Sequence, residues 1–400
     1  MSNALFSLTS GDKGGILDGP VPTELRIPLE GHESKTVKKK AAVIPGQLVA
    51  EHKSAKTGDM HCGIAGVVAD TTSLYIAVTA QAPAEPAEGE TPPTAMVPVD
   101  LSVLEGDALA DALKALGVDT RPLIARCETL IINGLNPEPG ITLAEAMLAH
   151  APSVLEAGLS LLKKLSPAGS MLLARAAGSS ADIGGLPTMD VAPVYPNSLD
   201  EKLIVKAAGR GDRSGYRVLP LHTLYMLGHV AETGLPQTET VVCVQGRNYK
   251  VVVGTPVNAL LEHAGLSVEA GDAIILGGPM RGFATADYMH GINKNTQSVV
   301  LIKKGTFAPV SHRQCINCGE CVRHCPSRIM PSLITRYVEF REFEQCSVQH
   351  ISACMECGLC TFYCPARRPM MQLIRLGKHM IALKDAQVGA CALQGEEGAA

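Results

Sequence analysis

The sequence predicts a multidomain chain of mixed α/β and β class that ends in a helical domain organised around cysteines. Three observations carry that prediction. Short apolar runs punctuated by Gly and Pro fill residues 1–80, the texture of a small all-β module. Strand-like and helix-like stretches then alternate to about residue 235, which favours an α/β layer domain. Last, the run from Cys315 to Cys364 reads CINCGECVRHCPSR, 25 further residues, then CMECGLCTFYCPAR.

The N-terminal module has candidate strands at Leu25–Leu29, Ala41–Val43, Gln47–Ala50, Gly66–Ala69 and Leu74–Thr79. Residues 81–98 (QAPAEPAEGETPPT and its flank) are Pro/Glu/Ala-rich and read as a linker. The α/β domain is placed at 99–237, with helical spacing at Asp107–Leu116 and Leu143–His150 and a short buried strand at Thr129–Asn133. Leu155–Leu165 and Met171–Ala177 read as further helix or buried segments. Residues 238–305 give a hairpin turning at Gly246-Arg247-Asn248, a helix at Val257–His263 and strands at Asp272–Leu276 and Ser298–Lys303. That order suggests a small β-grasp-type domain. The cysteine domain occupies 306–386, with helical pattern at Ser332–Glu344 and Met370–Ala386, and 387–400 reads as a flexible tail.

Composition narrows the function. The chain has 400 residues, 46% apolar and 18% charged, enough for several cores. Its formal net charge of -4, the absence of Trp and only six Phe argue against a nucleic-acid partner. The Lys38-Lys39-Lys40 run is a short loop-like one. MSNALFSLTSGDKGG lacks a basic region followed by an apolar run, so no secretory signal is expected. No window approaches eighteen consecutive apolar residues, so no direct membrane span is expected. With eight of thirteen cysteines in metal spacing, a reducing cytosol is the simpler setting.

Each half of the cysteine stretch has the form C-x2-C-x2-C-x3-C-P, and the second repeats the first at an offset of 39. This matches the ligand pattern for two [4Fe–4S] clusters, in which each iron takes one thiolate. A short loop wraps three corners of a cube; in two-cluster ferredoxins the Cys before Pro serves the other cube. On that pattern one cluster takes Cys315, Cys318, Cys321 and Cys364, and the other takes Cys354, Cys357, Cys360 and Cys325. Pro326 and Pro365 turn the chain after each crossing ligand, and Gly319 and Gly358 leave the backbone room near the sulfides. Zinc also uses C-x2-C pairs, but separates them by a longer arm. Disulfides at i,i+3 would make cramped loops.

Cys346, Cys62, Cys127, Cys243 and Cys391 fall outside the motif and read as core or spare thiols. His312 and His324 flank ligands and could donate hydrogen bonds to cluster sulfur. Histidines 61, 150, 222, 229, 263, 290 and 350 show no i,i+4 metal pair, and spacing defines no catalytic array. Gly184-Gly185 and the Ala208–Gly211 run lack a strand–turn–helix setting.

The phrases RIPLEGHESKTVKKKAAVIPGQLVAEH, HCGIAGVVAD, LIINGLNPEPGIT and GTPV…GGPMRGF, followed by the twin cysteine motif, resemble the RnfC family of the Rnf ion-translocating oxidoreductase. The resemblance runs from about residue 23 to 385. It implies an N-terminal barrel-sandwich (lipoyl-like) module and an α/β domain like the NADH- and FMN-binding subunit of respiratory complex I. A β-grasp-type (SLBB-like) domain and a helical two-[4Fe–4S] ferredoxin domain would follow. The opening module has no Met-Lys-Met turn of the sort that carries biotin or lipoate, so it reads as structural. In the family a GxGGAGFPT loop precedes the strand that here is Thr129–Asn133; this chain has LKALGVDTRPLIARCET, with the single glycine Gly117. The family's NGxECEPY becomes Asn133-Gly134-Leu135-Asn136-Pro137-Glu138-Pro139, and its YPxGGEKQLI becomes YPNSLDEKLIVKA. These departures around Asn133, Gly134 and Glu138 predict weak or absent binding of FMN and NADH.

What the resemblance implies is an iron–sulfur subunit, peripheral on the cytoplasmic face of a bacterial inner membrane. Its complex would couple electron transfer between ferredoxin and NAD, or another carrier, to ion translocation. Implied partners are the ferredoxin-like RnfB subunit, the integral membrane subunits, ferredoxin and NAD(H). Two other readings use the same modules: a flavin-dependent soluble oxidoreductase like the cobalamin reductase of microcompartments, and a non-catalytic adaptor between ferredoxin and a cytochrome or quinone module.

Overall fold

A computed structural model describes residues 6–9, 14–29, 33–81, 97–307, 309–311 and 313–397, with side chains to residue 386. Most of the expected linker, and the end of the expected tail, lie outside the described residues. The chain divides into two compact units, residues 1–304 and 305–400.

The first unit opens with β1 (Ile16–Asp18), β2 (Glu24–Pro28), β3 (Glu33–Lys35), β4 (Ala42–Val43), β5 (Leu48–His52), β6 (Met60–His61), β7 (Gly66–Thr71) and β8 (Tyr75–Ala80). Seven of these form two small sheets, β2-β8-β7-β4 and β3-β5-β6. Alternation along the strands sends Leu25 and Ile27 of β2 and Ile76 and Val78 of β8 into one core, all without exposed surface. β1, β3 and β6 are only two or three residues long, too short to leave a periodic signal.

Next come α1 (Gly106–Ala115), β9 (Thr129–Asn133), α2 (Leu143–His150), α3 (Pro152–Leu165), β10 (Ser170–Ala176), β11 (Thr188–Val191), α4 (Asp200–Ala208), β12 (Tyr216–Pro220) and α5 (Leu221–Thr233). Their sheet is parallel throughout, in the order β11-β10-β9-β12. The run Leu130-Ile131-Ile132 is buried on both faces of interior strand β9, as parallel strands require. Met171–Ala177, which could have been helix, is strand β10. Helices α3 and α5 touch backbone to backbone: a Cβ on Gly158 would lie 2.3 Å from the Leu224 oxygen, and one on Gly228 1.8 Å from the Val154 oxygen. The chain steps from β9 outward to β11, then returns to place β12 on the other side of β9. That reversal makes the carboxyl ends of β9 and β12 the crevice where open α/β sheets hold ligands.

β13 (Glu239–Val244), β14 (Arg247–Val252), α6 (Val257–His263), β15 (Ala273–Leu276), β16 (Phe283–Thr285) and β17 (Ser298–Ile302) complete the unit. They form a six-stranded sheet, β1-β14-β13-β17-β15-β16, with β1 joining from the N-terminus in parallel to β14. The hairpin turns at Gln245-Gly246, φ 48° and 84°, one residue earlier than expected. Two adjacent left-handed residues match the twist of the flanking strands.

The second unit holds α7 (Glu320–Arg323), α8 (Pro331–Glu339), α9 (Phe343–Val348), α10 (Leu359–Phe362) and α11 (Met370–Glu397) around Ile334, Val338, Cys346, Ile351 and Ile374. The single helix expected over 332–344 is broken in two, with Arg341 at φ 60° between the pieces. α11 continues to Glu397, past the expected start of a flexible tail at 387; this stretch has no proline, and Ala390 and Ala392 favour helix.

Buried histidines give unit one a pH dependence. His61 and His222 are each pushed down to about 4, chiefly by burial, with the nearby Lys294 adding to the effect on His61. The unfolded chain takes up these protons near pH 6.5. Their contribution is therefore complete above that value and is lost as pH falls toward 4. The urea midpoint, followed by circular dichroism, should drop across pH 6.5 to 4, and His222→Gln should flatten that slope. An unchanged slope would contradict the assignment.

Candidate metal centre

Cys315, Cys318 and Cys321 of the first half line a cavity of about 230 Å³ together with Cys364 of the second. Cys354, Cys357 and Cys360 line a tighter one, about 10 Å³, together with Cys325 of the first. The fold thus brings the eight motif cysteines together in two groups of four, three from one half and one from the other.

The two halves share an unusual backbone course. Asn317 and Glu356 have φ of 54° and 52°, Gly319 and Gly358 of 77° and 75°, and Arg328 and Arg367 of 55° and 53°. Each pair is related by the offset of 39, and positive φ is uncommon outside glycine. At the first position the curled backbone turns an amide onto sulfur: Asn317 N–H donates to Cys315 Sγ and Glu356 N–H to Cys354 Sγ, both at 3.4 Å. Gly319 and Gly358 then cap α7 and α10, which carry Cys321 and Cys360. A Cβ on Gly319 would meet nothing within 4 Å. The requirement the chain shows at this glycine is conformational, not the clearance read from the sequence.

The donor set fits an iron–sulfur cube. Burial pushes the Cys357 thiol up to about 11 and Cys360 further, with the surrounding cysteines adding to the rise; Cys321 and Cys354 are raised chiefly by burial as well. Thiolates gathered in such a place need a cationic body between them. Among the described residues, no three His, Cys, Asp or Glu side chains are placed to hold a single metal ion. Zinc draws its ligands to one point with sulfur about 2.3 Å away, whereas a cube keeps its thiolates apart at separate corners.

Other residues singled out by sequence lie elsewhere. His324 stacks on Tyr363, ring centroids 3.6 Å apart and 18° between planes, with its Nδ1 3.1 Å from the Glu320 carbonyl. These two rings occupy equivalent positions of the repeat, and the contact the ring shows is this stack, not the sulfur hydrogen bond expected. His312 lies outside the described residues. Cys346 is fully buried, its Sγ 3.5 Å from the Glu342 carbonyl, and Cys62 and Cys243 are likewise buried while Cys127 is half-buried. The motif gave no hint of Met330, Ser332, Arg368 and Met370, which also line the first cavity. Extending the 39-residue repeat beyond the cysteines would have found them.

The region around Asn133, Gly134 and Glu138 is occupied by the protein's own contacts. Asn133 Nδ2 donates to the Ser198 carbonyl at 2.9 Å, and its Oδ1 accepts from Leu135 N–H at 3.1 Å. Gly134 N–H donates to the Ala174 carbonyl, from which a Cβ would stand only 2.9 Å. The buried Glu138 carboxylate accepts from Met280 N–H at 2.7 Å and Arg281 N–H at 3.3 Å. It fills the concavity of the GGPMRGF turn, a backbone nest of the kind that binds anions, so closely that a Cβ on Gly278 would come within 1.9 Å. Asn136 Oδ1 accepts from the Ala144 and Glu145 amides at the start of α2, the work of a cap. Gly117, the lone glycine before β9, gives its carbonyl to Lys294 Nζ at 2.7 Å, and the same Nζ reaches the Asp59 carbonyl at 2.6 Å.

At the carboxyl ends of β9 and β12 lies a cavity of about 160 Å³ lined by Asn133, Ser198, Asp200, Leu221, His222 and Arg281 among others. Cofactor-sized sites run roughly 300–1,000 Å³. Burial raises Asp200 there to about 6.

Removing the Glu138 charge should loosen the nest. Glu138→Gln is expected to cost roughly 1–3 kcal/mol, read as a lower urea midpoint with unchanged iron content. An unaltered midpoint would contradict the structural role.

No protein-family model matches the chain. Among known proteins it is similar to the RnfC-type subunit of the ion-translocating oxidoreductase complex of Rhodobacter capsulatus, 23% identical over 367 residues, covering 78% of this chain and 69% of that protein. It matches the corresponding subunit of the proton-translocating ferredoxin:NAD(+) oxidoreductase complex of Clostridium ljungdahlii at 25%, covering 79% of each. The equivalent protein of Pectobacterium atrosepticum is 30% identical over 294 residues, 66% of this chain and 42% of that protein. Among solved structures, an NAD+-reducing [NiFe]-hydrogenase in its H2-reduced state aligns with TM-score 0.39 and 14% identity over 62% of this chain and 56% of that one, too loose a likeness to argue from. Over most of its length, then, this chain is related to the RnfC family of the ion-translocating, Rnf-type oxidoreductase complex.

Proposed function

We propose that the chain is an electron-transfer subunit of a membrane-associated Rnf-type complex, relaying single electrons through two [4Fe–4S] clusters. The observation that carries this reading is the pair of cavities, each lined by three cysteines of one half and the crossing cysteine of the other. Bound clusters would supply reversible one-electron transfer. The chain's own part is to provide thiolates, to aim the Asn317 and Glu356 amides at sulfur, and to shield the inner site with Ile329, Met355, Met371 and Ile374.

We read the first unit as three modules: a barrel-sandwich, an α/β domain like the nucleotide-binding subunit of complex I, and a β-grasp-type domain. The middle one serves as a scaffold that docks partners and does not itself bind FMN or NADH. Supporting this, Glu138 fills the nearby nest, Gly117 is engaged by Lys294, and the crevice cavity is small. Electrons would therefore arrive from or leave to ferredoxin or the ferredoxin-like RnfB subunit, with NAD(H) handled elsewhere in the complex. Among the described residues no helix is long and apolar enough to cross a membrane. Attachment to the cytoplasmic face would run through integral subunits.

Anaerobic purification should yield about eight irons per chain, two times four, and no flavin. NADH should leave the clusters oxidised where reduced ferredoxin reduces them rapidly. Stoichiometric FMN with NADH-dependent reduction would overturn the scaffold assignment, and about four irons would sink the two-cluster one. Cys364→Ser should remove or convert only the cluster of the first half.

A further inference from the structure

The 39-residue repeat makes the two cavities near-copies, so a difference between equivalent wall positions is informative. Arg368 lines the first cavity, and its equivalent in the second is Ile329. Both are buried, at 7% exposure. One wall therefore carries a guanidinium where the other carries a hydrocarbon.

The Arg368 guanidinium is held at its outer end. Its Nη2 stands 2.6 Å from both carboxylate oxygens of Glu339, and Nη1 donates to the Arg313 carbonyl at 3.2 Å. Its Nε is buried and has no hydrogen-bond partner among the described residues. Leaving a buried charged donor unmade is costly, and the clamp at the other nitrogens stops the group from turning toward a substitute. The arrangement makes sense if the missing acceptor is something the cavity is built to hold.

Resting on the iron–sulfur reading above, we propose that Arg368 is a hydrogen-bond donor, through Nε–H, to the cluster held by Cys315, Cys318, Cys321 and Cys364. In that role it raises the cluster's reduction potential. Reduction adds an electron to the cluster, and a donor aimed at its sulfur stabilises the more negative state. Glu339 offsets the net charge of the guanidinium, so the effect comes from the directed N–H and not from a remote field. The second cavity has no such donor in its wall. Its nearby charges, Glu356 with Arg375 at 3.0 Å and Lys378 at 2.9 Å, pair with each other, and none of the three lines the cavity.

The test is an EPR-monitored redox titration of the full chain, purified anaerobically, beside Arg368→Met and Arg368→Gln. Gln places an N–H donor at the position of Nε, whereas Met keeps only the bulk. In Arg368→Met one cluster should show about a tenfold lower reduced-to-oxidised ratio at a fixed poise, or about 59 mV for one electron. The other cluster should be unmoved, and Arg368→Gln should recover most of the shift. Unchanged midpoints in Arg368→Met with full iron would overturn the proposal, as would loss of the cluster in both variants, which would make the residue structural. Should only the Met variant lose iron, a wild-type midpoint in Arg368→Gln supports the donor and a lowered one overturns it. Fewer than about eight irons in the wild type would instead defeat the two-cluster reading.

Discussion

A short loop can curl three thiols around one compact body but cannot also close the last corner. In this chain the closing cysteine of each group comes from the opposite half, and the architecture of the second unit follows. The halves must lie against each other in a two-fold relation. Their connection must be long enough to return the chain, and the helices between must pack closely enough to fix the crossing. α8 and α11 meet where Gly377 leaves no room for a side chain: a Cβ there would come 2.7 Å from Val338 and 2.9 Å from Ile351. The His324–Tyr363 stack joins equivalent points of the two halves. Close packing here serves to hold sulfur atoms in place.

The first unit is governed by a different economy. Its sheets are ordinary apolar constructions, but the joints between them are polar and buried. Glu138 in the Gly278–Arg281 turn, Asn136 at the head of α2 and Lys294 between the Gly117 and Asp59 carbonyls each satisfy backbone groups from distant parts of the chain. Such groups are expensive when half-satisfied and rigidifying when complete. They tie the three sheets of the unit together, and they do so at the places where the related nucleotide-binding pattern would keep backbone amides open for a ligand.

Much of the fold was legible because the long elements carry their own signals. Thr129–Asn133, Leu143–His150 and Val257–His263 fall where periodicity puts them. The eight cysteines were legible because spacing alone encodes their geometry. What the sequence withheld was of two kinds. β1 is three residues long and pairs with a strand more than two hundred residues away, which no local pattern reveals. The roles of Glu138, His324 and Arg368 depend on partners brought together by tertiary folding. For Glu138 the sequence showed that a pattern had degraded; only the coordinates show a carboxylate lodged in the amides. For Arg368 the signal was present in the repeat itself, as an Arg facing an Ile at the same step.

The crossed arrangement of cysteines also has a consequence for biogenesis. Cys315, Cys318 and Cys321 leave the ribosome well before Cys364, the residue that completes their cavity, and Cys325 waits likewise for the later half. Neither cup is whole until the entire stretch has been synthesised. The nascent chain must shelter its first thiols from oxidation and stray metals over that interval, so the order of synthesis opposes the order of assembly.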